Sequence, residues 1–279
     1  MGQATAIRRS PLSGPELTEA EFREACELVY SLSGLDLAAG KQSLIMGRLG
    51  PIVSRGGYPT FAAYFQAVKS DTSGRIRSEF VDRLTTNHTF FHREPEHLEF
   101  FAKTALPEAI ARRRSEGKQS LRIWCAASST GEEPYTLAML VLETLGHGAA
   151  TWDTGVLATD ISPSVLETAR TGRYEKAGVE RLPEHLRRKY FRELPGEMLE
   201  VSQKVRDEVT FRKFNLLNVK YPFKNPFDVV FCRNVMIYFD GKTRRNVVER
   251  MLSCTRVGGY LIVGAAESIP EGFSVTQVG

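Results

Sequence analysis

The fold of this 279-residue chain is decided by one stretch, Arg122-Ile123-Trp124-Cys125-Ala126-Ala127-Ser128-Ser129-Thr130-Gly131-Glu132-Glu133-Pro134-Tyr135. It begins as an apolar, strand-like run, continues through small side chains, and enters a helical pattern at Pro134. Small side chains allow a ligand to touch the backbone, and the amides at a helix N-terminus attract an anionic group. The stretch predicts a strand, a ligand-binding loop and a helix. A tight turn without a ligand is the alternative for this segment taken alone.

Downstream of this stretch, short apolar runs alternate with helical patterns. The predicted strands and helices are Leu121–Ala126, Pro134–Leu145, Gly155–Asp160, Pro163–Arg170, Val209–Phe214, Phe227–Cys232, Lys242–Cys254 and Tyr260–Ala265. Nearly continuous apolar strands separated by helices are typical of a parallel, doubly wound α/β sheet. The alternation stops between Gly172 and Asp207, where we expect an insertion with a helix and a hairpin around Pro195-Gly196.

Upstream of the stretch the pattern is helical only. Thr18 and Glu21 form a capping box before a helix, and four further helical patterns follow up to Arg114. A basic, Gly-containing segment, residues 112–118, ends the helical run. We therefore expect an all-α N-terminal domain with its linker at residues 1–117 and an α/β domain at residues 118–279.

Composition limits the class of protein. Hydrophobic residues make up 42% and the formal net charge is only +4, which indicates a globular protein and gives no reason to expect nucleic-acid binding. The four cysteines lack any C-x-x-C pairing, as in a reduced intracellular protein. Met1–Ser10 has no apolar targeting segment, Gly2 lacks the Ser or Thr that a myristoylation signal needs, and no run is long enough to span a membrane. We expect a cytoplasmic protein, monomeric, with no direct membrane insertion.

The loop sequence also limits the ligand. It is not G-x-G-x-x-G, and Glu132 and Glu133 in the first turn of the helix would repel a pyrophosphate. The same two carboxylates would attract an amino group. A cofactor that carries an ammonium group, a carboxylate and a ribose, but no phosphate, therefore fits better than a dinucleotide.

Polar residues follow three other predicted strands. Asp160 ends the second and suits ribose hydroxyls, although an Asp before Ile161-Ser162-Pro163 also suits a helix cap; Asn215-Leu216 follows the third, and Arg233-Asn234 the fourth. In open α/β sheets, ligands bind outside the carboxyl ends of the strands, where strand order reverses. We therefore expect these residues to converge with the loop on one pocket.

The motifs together resemble the chemotaxis receptor glutamate methyltransferases, the CheR family. The resemblance is carried by Thr85-Thr86-Asn87-His88-Thr89-Phe90-Phe91-His92-Arg93-Glu94, Ala126–Tyr135, Ala158-Thr159-Asp160-Ile161, Phe214-Asn215-Leu216-Leu217 and Phe231-Cys232-Arg233-Asn234-Val235-Met236-Ile237-Tyr238-Phe239-Asp240. It covers nearly the whole chain in motif order. It implies a helical N-terminal domain joined to a Rossmann-like methyltransferase domain with a small antiparallel β subdomain inserted.

The resemblance also implies an activity, a cofactor and site residues. The activity is methylation of glutamate carboxylates on the cytoplasmic domains of chemoreceptors, from S-adenosyl-L-methionine to S-adenosyl-L-homocysteine. The implied catalytic residues are Arg93 and Tyr238. The implied cofactor contacts are Asn87, Thr89, Arg93, Ala126, Glu132, Asp160, Asn215, Leu216, Arg233 and Asn234.

The chain departs from the family pattern at several places. His92 stands where an aromatic residue usually precedes the arginine, and Gly50–Ser54 stands after Arg48 where further arginines of a receptor-docking helix are common. The turn Leu194–Glu197 of the insertion is short, so the sequence leaves open whether this subdomain grips a C-terminal receptor tail peptide as it does in some members of the family. The final hairpin of such a sheet would lie beyond Gly279.

A glutamate carboxylate is ionised at neutral pH and needs no general base. His88, His92 and His97 lack a matching Cys or carboxylate set, so no metal site is expected. The rival functions are a methyltransferase for small molecules or nucleic acids, disfavoured because an N-P-P-Y type motif is missing, and a non-catalytic cofactor-binding regulator in a related signalling array.

Overall fold

A computed structural model describes residues 15–37 and 40–278. Residues 1–14, 38–39 and 279 lie outside this range, and with them the stretch Met1–Ser10 and the Gly2 position considered above. The chain divides into two compact units between Leu84 and Thr85, not near residue 117 as the sequence pattern indicated. The segment after Leu84 is still helical, but its buried side chains, such as Phe101 and Leu106, belong to the core of the sheet. Helical periodicity alone cannot predict such a boundary, because helices lie on both sides of it.

The first unit consists of helices, two of which begin with a side-chain cap. Their bounds are α1 Glu19–Ser33, α2 Gln42–Arg55, α3 Phe61–Ser70 and α4 Arg75–Leu84. The capping box of α1 is present, because the Glu21 amide donates to Thr18 Oγ1 at 3.2 Å and the Thr18 amide donates to Glu21 Oε2 at 2.9 Å. The other carboxylate oxygen of Glu21 accepts the Ala62 amide at 2.9 Å. One carboxylate thus joins the first turns of α1 and α3.

The second unit contains all the strands of the described chain. Its helices are α5 Pro95–Phe100, a π-helical segment Phe101–Ala105, α6 Leu106–Ser115, α7 Glu132–Leu145, a 3₁₀ segment Gly146–Thr151, α8 Pro163–Thr171, α9 Lys176–Val179, α10 Glu184–Tyr190, α11 Gln203–Asp207, a 3₁₀ turn Met236–Tyr238 and α12 Gly241–Cys254. Its strands are β1 Ser120–Ala126, β2 Asp153–Asp160, β3 Arg173–Glu175, β4 Phe191–Leu194, β5 Met198–Val201, β6 Val209–Lys213, β7 Phe227–Cys232 and β8 Thr255–Val263.

Five strands form one parallel sheet in the order β6-β2-β1-β7-β8. Strand order reverses between β1 and β7, which is the predicted position of a ligand crevice. Along β1, Ile123 and Cys125 belong to one buried cluster, whereas Trp124 and Ala126 belong to the other. Because side chains alternate along a strand, β1 buries both faces between two layers of helices. The doubly wound α/β fold is confirmed.

The predicted insertion forms a second, antiparallel sheet in the order β3-β5-β4. The expected hairpin joins β4 to β5, with Gly196 at φ 76° and Glu197 at φ 53° in its turn. Glu200 on β5 is buried and pairs with Arg173 at 2.9 Å and with Arg192. One carboxylate therefore joins all three short strands. Among the described residues, no helix is long and apolar enough to cross a membrane.

Candidate active site

The loop between β1 and α7 has an unusual backbone. Ala127, Ser129 and Gly131 adopt φ values of 59°, 48° and 99°. Such left-handed conformations are costly for side chains other than glycine. A Cβ on Gly131 would lie 2.8 Å from the Tyr174 hydroxyl oxygen and 2.9 Å from Ala169 Cβ. Glycine is therefore required at position 131 by conformation and by space, and the loop is held rather than free to adapt.

Asp160 fixes this loop from the end of β2. Its Oδ2 accepts the Ser129 amide at 2.9 Å and its Oδ1 accepts the Ser162 amide at 2.9 Å, while the residue is only 7% exposed. Its carbonyl oxygen accepts the Phe214 amide at 2.9 Å, which ties the end of β6 to the end of β2. Both roles that the sequence left open, turn stabilisation and ligand contact, are compatible, since each carboxylate oxygen has two lone pairs. The turn role is observed, and ribose contact stays a prediction.

Glu132 and Glu133 have different environments, although the sequence analysis treated them alike. Glu132 Oε2 accepts a hydrogen bond from the Thr130 hydroxyl at 2.7 Å. Burial raises the pKa of Glu132 despite that bond. Glu133 instead accepts a hydrogen bond from Arg233 Nη1 at 2.6 Å and from the Cys125 thiol at 3.2 Å. Glu132 is thus the desolvated carboxylate suited to an ammonium group, and Glu133 belongs to the protein's own ion pairs.

Arg233 is at the centre of a buried ion-pair network. Its Nη1 donates to Glu133, its Nη2 to Glu94 at 3.0 Å and to the Arg93 carbonyl at 2.5 Å, and its Nε to Glu94 at 3.3 Å. The side chain is 2% exposed. All three guanidinium nitrogens therefore have protein partners, and cofactor contact by Arg233 stays a prediction. The observed contacts join the 93–94 segment, α7 and the end of β7.

Glu94 was not predicted as a site residue. In addition to Arg233, its carboxylate accepts the Asn234 side-chain amide at 2.9 Å and the Ala265 backbone amide at 3.2 Å. Burial would raise the pKa of Glu94, but the hydrogen bonds from Asn234 and Arg233 hold it below its ordinary value. Glu94 therefore acts as an ionised clamp between the 93–94 segment and the residues that follow β7 and β8.

Glu267 is the second residue that the sequence analysis missed. Its carboxylate accepts five backbone amides: those of Gly264 at 2.7 Å, Asn234 at 2.8 Å, Val235 at 3.0 Å, Met236 at 2.6 Å and Ile237 at 3.3 Å. A signal was present, because an acidic residue soon after a strand had already identified Asp160. The turn after β7 is thus wrapped around one carboxylate.

That turn carries Asn234 and Tyr238. Asn234 has a φ of 57°, a left-handed value that asparagine tolerates better than most residues. Tyr238 ends the 3₁₀ turn and is half-buried. Within the described part of the chain, its hydroxyl has no hydrogen-bond partner, whereas its amide donates to the Val235 carbonyl at 3.1 Å. The hydroxyl is therefore available to a ligand.

The segment before α5 reaches the β1–α7 loop. The Ser129 hydroxyl donates to the Asn87 carbonyl at 2.9 Å, and Arg93 Nη1 donates to the His88 carbonyl at 2.8 Å. Within the described residues, the other Arg93 nitrogens have no acceptor. Thr89 is half-buried, and burial lowers the pKa of His92. The structure thus brings Asn87 and Arg93 to the same edge of the sheet as the loop.

Ala126 and the pair Asn215-Leu216 complete the predicted set. Ala126 is fully buried and lies in register between Thr159 of β2 and Cys232 of β7. Asn215 Oδ1 accepts the Leu217 amide at 2.9 Å, and the Leu216 carbonyl accepts the Tyr221 hydroxyl at 2.9 Å. These residues are at the carboxyl ends of their strands, as predicted. In the described residues, no group of three or more His, Cys, Asp or Glu side chains is arranged to hold a metal ion.

The chemistry of this edge fits a particular cofactor. A desolvated carboxylate at Glu132 suits an ammonium group, Asp160 ends β2 at the position predicted for ribose contact, and the β1–α7 loop lacks the G-x-G-x-x-G pattern of a dinucleotide site. The fold and the site define a Rossmann-like methyltransferase that uses S-adenosylmethionine. The sequence profile described as "CheR methyltransferase, SAM binding domain" matches residues 87–278, and that described as "CheR methyltransferase, all-alpha domain" matches residues 20–85. The chain belongs to the CheR methyltransferase family.

Proteins named as chemotaxis protein methyltransferases align with this chain over most of their length. The chain is 37% identical over 253 residues to the chemotaxis protein methyltransferase of Borreliella burgdorferi, covering 91% of this chain and 89% of the relative. It is 37% identical over 255 residues to the one of Escherichia coli, covering 90% and 85%. It is 36% identical over 265 residues to chemotaxis protein methyltransferase 2 of Pseudomonas aeruginosa, covering 93% and 91%.

Proposed function

We propose that this protein methylates glutamate side chains on the cytoplasmic domains of chemoreceptors and forms glutamyl methyl esters in sensory adaptation. The names of the relatives support the pathway. The observation that carries the chemistry is the pair Tyr238 and Arg93. Each presents at least one hydrogen-bond donor without a protein acceptor in the described chain. Such donors suit a carboxylate substrate.

The reaction requires orientation more than acid–base chemistry. S-adenosylmethionine, when bound, would supply a methyl group on a sulfonium. The glutamate carboxylate oxygen would form a bond to that methyl carbon in line with the carbon–sulfur bond that breaks, and the neutral thioether S-adenosylhomocysteine would leave. The glutamate is already ionised near neutral pH, so the protein needs no base. Alignment of two reactants is worth on the order of 7–11 kcal/mol. The Tyr238 hydroxyl, a neutral donor, orients the attacking oxygen without strongly reducing its nucleophilicity. The Arg93 guanidinium holds the other oxygen or the cofactor carboxylate.

The cofactor is assigned to the edge of the sheet described above. Glu132 binds its ammonium group and Asp160 its ribose, because Glu132 begins α7 after the loop that follows β1, and Asp160 ends β2. The remaining contacts proposed are Asn87, Thr89, Ala126, Asn215, Leu216, Arg233 and Asn234. For Arg233, the contact requires that one of its ion-pair donors be shared with the ligand.

The receptor-binding surface of the helical unit differs from a simple basic helix. Arg48, the arginine of α2 that matches the family, donates from Nη1 to the Leu84 carbonyl at 2.8 Å and so caps α4. The exposed positions of α2, including Met46 and Gly47, are mostly uncharged. A receptor tail peptide, where one exists, is assigned to the β4–β5 hairpin. The protein is proposed to act as a cytoplasmic monomer.

The test is transfer of labelled methyl groups from the cofactor to receptor cytoplasmic fragments, with the product located by mass spectrometry. We expect base-labile methyl ester on glutamate. Tyr238→Phe should lower kcat about 10- to 150-fold with little change in cofactor affinity, since one oriented hydrogen bond to a charged group is worth about 1.5–3 kcal/mol. Tyr58→Phe in the helical unit is the matched control. Cofactor binding without any glutamyl ester, or label on nucleic acid or a small molecule, would overturn the proposal.

A further inference from the structure

Arg181 is an exposed residue of the insertion that contacts the segment carrying Arg93. It follows α9, and its guanidinium carbon lies 4.2 Å from the centroid of the Phe90 ring. The guanidinium carbon of Arg93 lies 5.7 Å from the same centroid. The His88 ring also packs against Phe90, at 5.7 Å between centroids. Two cations from different parts of the second unit are thus held beside one aromatic ring.

Neither cation is neutralised by the protein. Within the described residues, no carboxylate lies within ion-pair distance of Arg181 or Arg93. Four other arginines of the insertion are paired: Arg173, Arg192 and Arg206 with Glu200, and Arg188 with Glu184 at 2.5 Å. Arg187 has no ion pair among the described residues. The chain neighbour of Arg181, Glu180, is exposed and forms no ion pair with it. Arg181 and Arg93 therefore place positive charge beside Phe90 that no carboxylate of the described residues compensates.

Stacking leaves the guanidinium ready to bind an anion. A guanidinium held over a ring is attracted through its face, while its N–H donors point outward in its own plane. Those donors match the two oxygens of a carboxylate. Two like charges beside one ring repel each other until an anion binds, and stacking reduces the side-chain entropy lost on binding. The arrangement has the properties of a preorganised carboxylate site.

We propose that Arg181 binds an acidic side chain of the protein substrate next to the glutamate that is methylated. This inference rests on the proposed function and extends it with a second recognition point outside the reacting centre. Arg93 and Tyr238 are assigned to the reacting carboxylate, so the cation from the insertion receives a flanking carboxylate. Arg181 is then a specificity residue contributed by the inserted subdomain.

The experiment measures methyl transfer to a receptor cytoplasmic fragment by the full chain and by three variants. Arg181→Ala should raise KM for the fragment about fivefold or more, with kcat and cofactor affinity unchanged, because a rim ion pair acts on binding. Arg181→Lys, which keeps the charge but not the bidentate geometry, should fall between Ala and the parent. Arg188→Ala, the matched control, removes an exposed cation from the same insertion and should leave KM unchanged.

A second substrate makes the test specific. A fragment whose acidic residues flanking the methylated site are changed to Gln or Asn should bind the parent enzyme less well, and Arg181→Ala should then have no further effect. An unchanged KM in Arg181→Ala, or an equal change in Arg188→Ala, overturns the inference while the proposed function stands. Absence of glutamyl ester with the parent enzyme overturns the proposed function itself.

Discussion

Glu267 Oε1 accepts the backbone amide of Met236 at 2.6 Å, across 31 positions of the chain. A residue shortly after β8 therefore holds the turn that follows β7. A carboxylate that accepts several backbone amides holds that backbone in a concave shape, as a bound anion does in a nest of N–H groups. Asn234 and Tyr238 are placed by this contact, so the geometry of the site depends on a side chain with no assigned ligand contact.

Glu267→Gln should impair both stability and methyl transfer. An amide offers one acceptor oxygen in place of two, and its NH₂ group would face backbone amides that cannot accept a hydrogen bond. We expect a loss of at least about 1.5–3 kcal/mol in unfolding free energy and a drop in kcat exceeding that in cofactor affinity. Urea unfolding and transfer kinetics measure the two effects. Glu271→Gln, exposed in the same segment, is the control; an equal effect of both changes would contradict this role.

Gly131→Ala should disrupt the cofactor loop. The added Cβ would lie 2.8 Å from the Tyr174 hydroxyl oxygen, and the φ of 99° is unfavourable for alanine. Overpacking alone costs about 1–3 kcal/mol. Thermal unfolding and titration with S-adenosylhomocysteine should show lower stability and weaker binding. Gly178→Ala, in a helix where a Cβ meets nothing within 4 Å, should change neither. Normal cofactor affinity in Gly131→Ala would refute a rigid loop.

Cofactor binding should weaken at mildly acidic pH because of Glu132. Burial raises its pKa, so the folded protein without ligand protonates this carboxyl at a higher pH than an ordinary glutamate. The protonated Glu132 carboxyl stabilises the apoprotein fully at pH values below the ordinary pKa of glutamate. This stabilisation is lost as the pH rises through the raised pKa of the folded protein. Binding of an ammonium group depends on pH in the opposite sense, because it requires the ionised carboxylate of Glu132. Calorimetry across pH 4–8 should show affinity falling as pH falls through the raised pKa.

Glu132→Gln tests the same group directly. Loss of a charged hydrogen-bond acceptor should reduce cofactor affinity about 10- to 150-fold, from about 1.5–3 kcal/mol, and should remove the pH dependence. The free energy of unfolding at neutral pH should change by less than about 1 kcal/mol. Removal of the buried charge is favourable, and it offsets the loss of the interaction between that charge and the helix dipole. Glu249→Gln, exposed on α12, is the control. Retained pH dependence in Glu132→Gln would assign it to another group.

The sheet and the position of the site could be predicted because they depend on local patterns. Apolar strands, the Thr18–Glu21 capping box and the polar strand ends are all short-range signals, and the structure contains each of them. The boundary at Leu84 could not be found in the same way, since helices on both sides have the same periodicity. Which core a helix joins is decided by long-range packing.

The contacts inside the site were less predictable than its location. Glu132 and Glu133 are adjacent and chemically identical, yet only Glu133 meets Arg233, because successive residues of a helix point in different directions. Glu94 and Glu267 lie far in sequence from Asn234, which both contact. Pairings of this kind depend on the register of strands and loops, which no local pattern contains.

Arg233 should be more important for stability than any exposed ion pair of the chain. Its removal leaves Glu94 and Glu133 as neighbouring carboxylates without their shared cation, and breaking a buried pair costs about 3–5 kcal/mol. Arg233→Ala should therefore shift the urea midpoint strongly, with or without cofactor. Arg122→Ala is the matched control, because Arg122 pairs with Asp153 at the surface, where such pairs are worth about 0–1 kcal/mol. A double change, Arg233→Met with Glu133→Gln, should recover part of the stability but not the methyl transfer, since the Arg93 carbonyl would lose the hydrogen bond that ties its segment to the end of β7. If Arg233→Ala were as stable as Arg122→Ala but failed to bind cofactor, Arg233 would be a ligand-binding residue and not the centre of the network.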